Sequence, residues 1–181
     1  MSLVRKIVWS AALAALGTAE IAAAQNPACL SEREVTSLVT YALPVVMNST
    51  MKTCSPQLSP QGYFATQGSS LVQRYAARKS AAWPEARAAL IKIGGNDDKM
   101  KDVVANLSDE ALQPFAEGIV SAMVAKGIKP GQCKAIERGV RLLSPLPPEN
   151  TAELVTFIIV LADKPKPGST KKSDLPICPV A

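Results

Sequence analysis

Four cysteines, Cys29, Cys54, Cys133 and Cys178, constrain this chain more than any other feature. A disulfide requires Cα atoms within about 7 Å of each other, so every pairing draws distant parts of the chain together. Whether they pair depends on the compartment, because thiols stay reduced in the cytosol and oxidise outside it. The N-terminus bears on that question. Arg5 and Lys6 precede an apolar stretch from Ile7 to about Ala19, and Ala22-Ala23-Ala24 stand before Gln25. A positive start, a short apolar core and small residues before a cleavage point make the secretory leader pattern. A membrane span needs about 20 apolar residues, and here Gly17, Thr18 and Glu20 close the run early. The sequence therefore predicts a leader over residues 1–24, cleaved after Ala24, and a mature chain of 157 residues (181 − 24) in the periplasm or outside the cell. All four cysteines lie in that mature part, and their even number predicts two disulfides.

Beyond the leader, helical periodicity dominates. Ser31-Glu32-Arg33-Glu34 has the form of a capping box, and Val35, Leu38, Val39, Ala42 and Val46 follow at helical spacing. Pro44 should kink this helix or split it near Tyr41. Ser59-Pro60 predicts a short helix ending at Gly68, with Ser69 or Ser70 capping the next one. Trp83-Pro84 predicts a break and restart, and Gly94-Gly95-Asn96 a stop. Asp97 is placed to cap a brief helix carrying Met100, Val103 and Val104. Ser108-Asp109-Glu110 opens another, with Leu112, Phe115, Ile119 and Met123 as one stripe, a bend at Pro114 and a stop at Gly127. Ile136, Val140 and Leu143 form an apolar face opposite Lys134, Arg138 and Arg141. From Leu154 to Ala162 only Thr156 is polar, which predicts a central helix covered on every side. Lys164 to Ser173 has no periodicity. The expectation is an all-α fold: an irregular bundle of five to seven helices over residues 25–163, stapled by two disulfides, with an extended basic tail over residues 164–181 tied down by Cys178.

Four cysteines allow three pairings. A straight helix from Ser31 to about Lys52 would hold Cys29 and Cys54 roughly 30 Å apart at 1.5 Å per residue, so that pair requires a hairpin at Pro44. If the helices alternate direction, Cys54 and the start of the Cys133 helix fall at one end, and the tail can run back to Cys29. The reading favours Cys54–Cys133 with Cys29–Cys178. The sequential pairing, with Cys133–Cys178 pinning the tail, is the alternative.

Composition removes several function classes. The chain has no histidine, which excludes Ser-His and Cys-His catalytic arrangements, histidine zinc sites and histidine-ligated haem. No Cys-x-x-Cys pair exists, which excludes a thioredoxin-like redox site and covalent haem attachment. Gly94-Gly95-Asn96-Asp97-Asp98 lacks the Gly-Lys-Ser/Thr end of a phosphate-binding loop and the alternating oxygen ligands of a calcium loop. Met47, Met51 and Cys54, at i, i+4 and i+7, have the softness that Cu(I) prefers, but the pattern equally describes an apolar face ending in a disulfide cysteine. Asp97, Asp98, Asp109, Glu110, Glu149 and Glu153 include the raw material of an acid/base pair for sugar cleavage; several stand at helix starts, where a carboxylate suits the helix dipole. No catalytic residue, metal site or cofactor is assigned.

The chain carries 20 basic and 15 acidic residues. Without Arg5, Lys6 and Glu20 of the leader these become 18 and 14, a net charge of +4. Arg74, Arg78 and Lys79, then Lys134, Arg138 and Arg141, are basic groups on helix faces. The possible contact face comprises Arg74, Arg78, Lys134, Arg138 and Arg141, suited to an anionic envelope component or an acidic protein. Few aromatics accompany the charges, which argues against nucleic acid. The Ala-Ala-Ala-Gln leader end and the overall layout resemble the small exported helical proteins of Gram-negative bacteria, a likeness that implies no particular activity. Insect odorant-binding proteins share export, helices and bridges, but their Cys-x-x-x-Cys pair is missing here. The functional expectation is a non-catalytic exported domain that binds a protein or an envelope component. The alternatives are a carrier of a small apolar ligand between helices and a histidine-independent hydrolase using carboxylates.

Overall fold

The computed structural model describes residues 29–95, 100–163 and 175–178. The predicted leader and its cleavage site, the Asp97-Asp98 turn and the lysine-rich part of the tail lie outside the described residues. Seven α-helices follow in order: α1 (Glu32–Cys54), α2 (Tyr63–Ala76), α3 (Lys79–Gly95), α4 (Lys101–Asn106), α5 (Asp109–Gly127), α6 (Cys133–Leu143) and α7 (Pro148–Asp163). Among the described residues the β pairing is confined to one isolated bridge, Leu30 with Ile177.

Helix α1 starts as its sequence dictates. Ser31 Oγ accepts from the Glu34 amide, and the Glu34 carboxylate accepts from the Ser31 amide at 2.8 Å. These two bonds satisfy donors that a helix start leaves bare. The helix then runs unbroken for 23 residues through Pro44, so the predicted split does not occur. Proline has no N–H, and the ladder loses one bond there. Burial of Pro44 and of Tyr41 beside it offsets that single loss.

Helix α1 is the hub, packed against α2, α3, α5 and α7. Helices α2 and α3 lie in tandem along it, both running the opposite way. Gly68 of α2 sits on Met51, near the C-terminal end of α1. On α3, Trp83 stacks on Tyr41 with ring centroids 4.9 Å apart, Glu85 accepts from Ser37, and Lys92 reaches Glu34. Helix α5 runs with α1, as the pairs Tyr41–Glu117 and Ser49–Ser121 show. Its end therefore delivers the chain to Cys133 at the Cys54 end of α1. Helix α6 lies against α2, where Glu137 accepts from the Phe64 amide, and α7 starts at the far end of α2, where Tyr75 Oη donates to Thr151 at 2.8 Å.

Two apolar clusters fill the interior. One joins Tyr41, Ala82, Trp83, Ala86, Val104 and Leu112, with Met100 and Leu107 against it. The other joins Leu30, Val35 and Ala89 to Ile159 of α7 and Ile177 of the tail. The disulfides are Cys54–Cys133 and Cys29–Cys178, the favoured pairing. The tail is also held by its backbone: Leu30 N–H donates to the Pro176 carbonyl at 2.6 Å and Cys178 N–H to Leu30 at 2.9 Å.

Three further sequence expectations are corrected. Gly68 does not end a helix; it lies buried inside α2, where the missing side chain leaves room for Met51 Sδ. Trp83-Pro84 does not break the chain, because α3 has already begun with the Ala82 amide bonded to Arg78, and Trp83 and Ala86 are both anchored in the core. Helix α7 is not the covered central helix. Leu154, Phe157, Ile158 and Leu161 stand exposed on it, and the central position belongs to the more polar α1, whose Ser49 and Thr50 are buried.

Candidate functional site

Charged and polar groups sort into local ties rather than a reaction centre. Glu117 of α5 accepts from Tyr41 Oη at 2.8 Å and from Lys79 Nζ, and Lys79 also lies 4.8 Å from the centre of the Tyr41 ring. This triad fastens α1, α3 and α5 together. Burial, followed by the neighbouring Glu117 carboxylate, pushes the Tyr41 phenol well above its ordinary pKa. At the other end Lys92 donates to both Glu34 oxygens, at 2.8 and 2.9 Å, and to the Cys29 carbonyl at 3.2 Å. Burial alone would raise the Glu34 pKa, but the hydrogen bonds from Lys92 and Ser31 outweigh it and hold the carboxyl below its usual range.

Among the described residues, three of the carboxylates singled out in the sequence engage separate partners. Asp109 pairs with Arg87 at 2.6 Å and Glu149 with Arg78 at 2.5 Å. Glu110 is held at the start of α5 by its own amide and Ser108, which lower its pKa. Among the described residues no group of three His, Cys, Asp or Glu side chains is arranged to hold a metal. The sulfur of Cys54 is committed to Cys133, which leaves Met47 and Met51 without the third soft ligand of that pattern. The five predicted contact residues, Arg74, Arg78, Lys134, Arg138 and Arg141, are all exposed on or beside α2 and α6. Those helices touch, and Arg78 has its charge answered by Glu149.

Two hollows remain. A cleft of about 560 Å³ at the α1–α2 turn is lined by Met51, Lys52, Leu58 and Phe64. A smaller groove of about 240 Å³ lies between α3, α4 and α5. Its lining includes Ile93, Met100, Val104 and Leu112, with Phe115 and Ile119 at the rim, and among the described residues it holds no charged side chain. Phe115, Ile119 and Met123 are all exposed, although the sequence stripe that contains them reads as core; of that stripe only Leu112 is buried. Among the described residues neither hollow has a carboxylate in its lining. Gly94, in the groove wall, lets α3 and α4 approach: a Cβ there would meet Val104 at 2.9 Å. Sequence reasoning read Gly94 only as a helix stop.

These features define a disulfide-stapled helical domain with an apolar groove and a partly apolar exterior. No protein-family model, curated protein or solved structure matches the chain. Among the described residues no helix is long and apolar enough to cross a membrane.

Proposed function

We propose that this protein is an exported, non-catalytic binding domain whose working surface is the α3–α4–α5 groove and its rim, and whose partner is a protein or another component of the cell envelope. The observation that carries this reading is the exposure of Phe115 and Ile119 beside a hollow whose described lining is apolar. Large apolar side chains gathered at a preformed depression are the usual anatomy of a recognition surface. Export is supported by the leader pattern and the two disulfides. The exposed basic side chains of α2 and α6 add attraction for anionic envelope components. The test is a pull-down from envelope extracts with the native protein and an Ile119→Glu variant. A species captured by the first and lost with the second is the expected result. Recovery of nothing above background, or the same recovery with both, overturns the reading.

The groove also favours a second reading, a carrier of a small apolar ligand. Its described lining residues are uncharged, and its volume of about 240 Å³ lies just under the roughly 300–1,000 Å³ of typical ligand sites. That space suits one short hydrocarbon chain. Native mass spectrometry after expression should then show an added lipid mass, and a clean unliganded mass removes the idea.

A further inference from the structure

Helix α7 is two-sided in an unusual way. Its inner side is filled by buried Thr151, Ala152 and Thr156. Its outer side carries Leu154, Phe157, Ile158 and Leu161, which remain 40%, 55%, 55% and 46% exposed. Their spacing, i, i+3, i+4 and i+7, makes one continuous stripe along the helix. At roughly 200 Å² for a fully exposed large apolar side chain, the stripe offers roughly 400 Å² of apolar surface to water.

We propose that this stripe is the seam of an antiparallel homodimer, in which α7 of one copy lies on α7 of a second. This proposal does not rest on the groove, which belongs to other helices. Charge argues for the occupant. Helix α7 contains no lysine or arginine, while Glu149, Glu153 and Asp163 are all acidic. An anionic lipid surface calls for cations beside the apolar stripe, so α7 is a poor match for one. A second copy needs only that the acidic groups avoid each other. A two-fold axis between Phe157 and Ile158 achieves this: Phe157 meets Ile158 of the second copy, Leu154 meets Leu161, and Glu153 faces Ala162. In the parallel register Glu153 would face Glu153. Glu149 is already neutralised by Arg78.

Area sets the strength of the pairing. A two-fold pairing covers the stripe twice, removing roughly 800 Å² of apolar surface from water. That lies below the roughly 1,200 Å² at the low end of specific interfaces, in the range of weak, transient contacts. The dimer is therefore a reversible one, with a dissociation constant on the order of micromolar.

Sedimentation equilibrium of the purified full protein over roughly 1–200 μM tests this. The expected result is a monomer–dimer equilibrium. Phe157→Lys and Ile158→Glu, each alone, should weaken it by roughly 100-fold, which is about 2.7 kcal/mol, with an unchanged far-UV circular dichroism spectrum. The double variant should dimerise again, because each new lysine faces the new glutamate of the other copy only in the antiparallel register. Native protein that stays monomeric throughout, dimers indifferent to both single variants, or a double variant that stays monomeric each overturns the proposal. A monomer that captures a different protein through α7 overturns it as well. None of these outcomes bears on the α3–α4–α5 groove, which the Ile119→Glu pull-down tests separately.

Discussion

Removing the Cys54–Cys133 bond should cost this domain a large part of its stability. The bond closes 79 residues of chain. With that loop the chain-entropy relation gives about 15 cal/mol/K, or about 4.5 kcal/mol at about 25 °C. Both half-cystines are essentially fully buried, so replacing them with alanine adds a small cavity cost. A domain of this size has roughly 5–15 kcal/mol in total, and the Cys54→Ala/Cys133→Ala variant should sit near the threshold of folding. Urea titration followed by helical ellipticity measures the difference. Cys29–Cys178 spans 149 residues, yet removing it should cost only slightly more on the same relation, because doubling a loop adds roughly 0.6 kcal/mol. A loss below about 1 kcal/mol for the Cys54–Cys133 deletion would refute the view that covalent closure of the unfolded chain stabilises this fold.

Gly68→Ala sets two effects against each other: alanine gains about 1 kcal/mol in helix propensity, while its Cβ would fall 2.3 Å from Met51 Sδ and overpacking costs about 1–3 kcal/mol. The net change should be destabilising in the native background and stabilising when Met51 is first cut to alanine, as a denaturation cycle over the four proteins would show. Glu34 has a depressed pKa in the fold, so the unfolded chain binds its proton more readily. Its contribution is whole above the ordinary carboxylate range and disappears as the pH falls through the folded value; Glu34→Gln, which can still accept from the Ser31 amide, should flatten the acid limb of the stability–pH curve and cost about 1–2 kcal/mol at neutral pH through the lost charge on the Lys92 hydrogen bonds. Tyr41 has the opposite sign. Its phenol is raised by burial and Glu117, so its contribution is whole below about pH 10 and is lost as the pH rises through the folded value. Native and Tyr41→Phe proteins should give superimposable tyrosinate absorbance until alkaline unfolding begins, and an earlier divergence would contradict the buried Tyr41–Glu117 contact.

Local chemistry made much of this molecule readable in advance. The capping box at Ser31 and Glu34 works within one turn, and no distant residue has to help it. The cysteine pairing also followed from local facts, because a long helix after Ser31 keeps Cys29 and Cys54 apart. The direction argument holds once α2 and α3 are counted as a single leg along α1. What the chain alone did not reveal is which faces are covered. Leu154, Phe157, Ile158 and Leu161 read as core because apolar side chains usually are, but burial is a property of neighbours. The partners that pack on α1 leave the outer side of α7 without one among the described residues. The Tyr41–Glu117–Lys79 triad was hidden for the same reason, since its members lie 38 to 76 residues apart and only the crossing of α1, α3 and α5 brings them together. Hydrogen bonds within a turn are decided by adjacent residues, so sequence determined where α1 begins. Covered surface, groove and seam are decided by how whole helices share space, and that belonged to the tertiary structure.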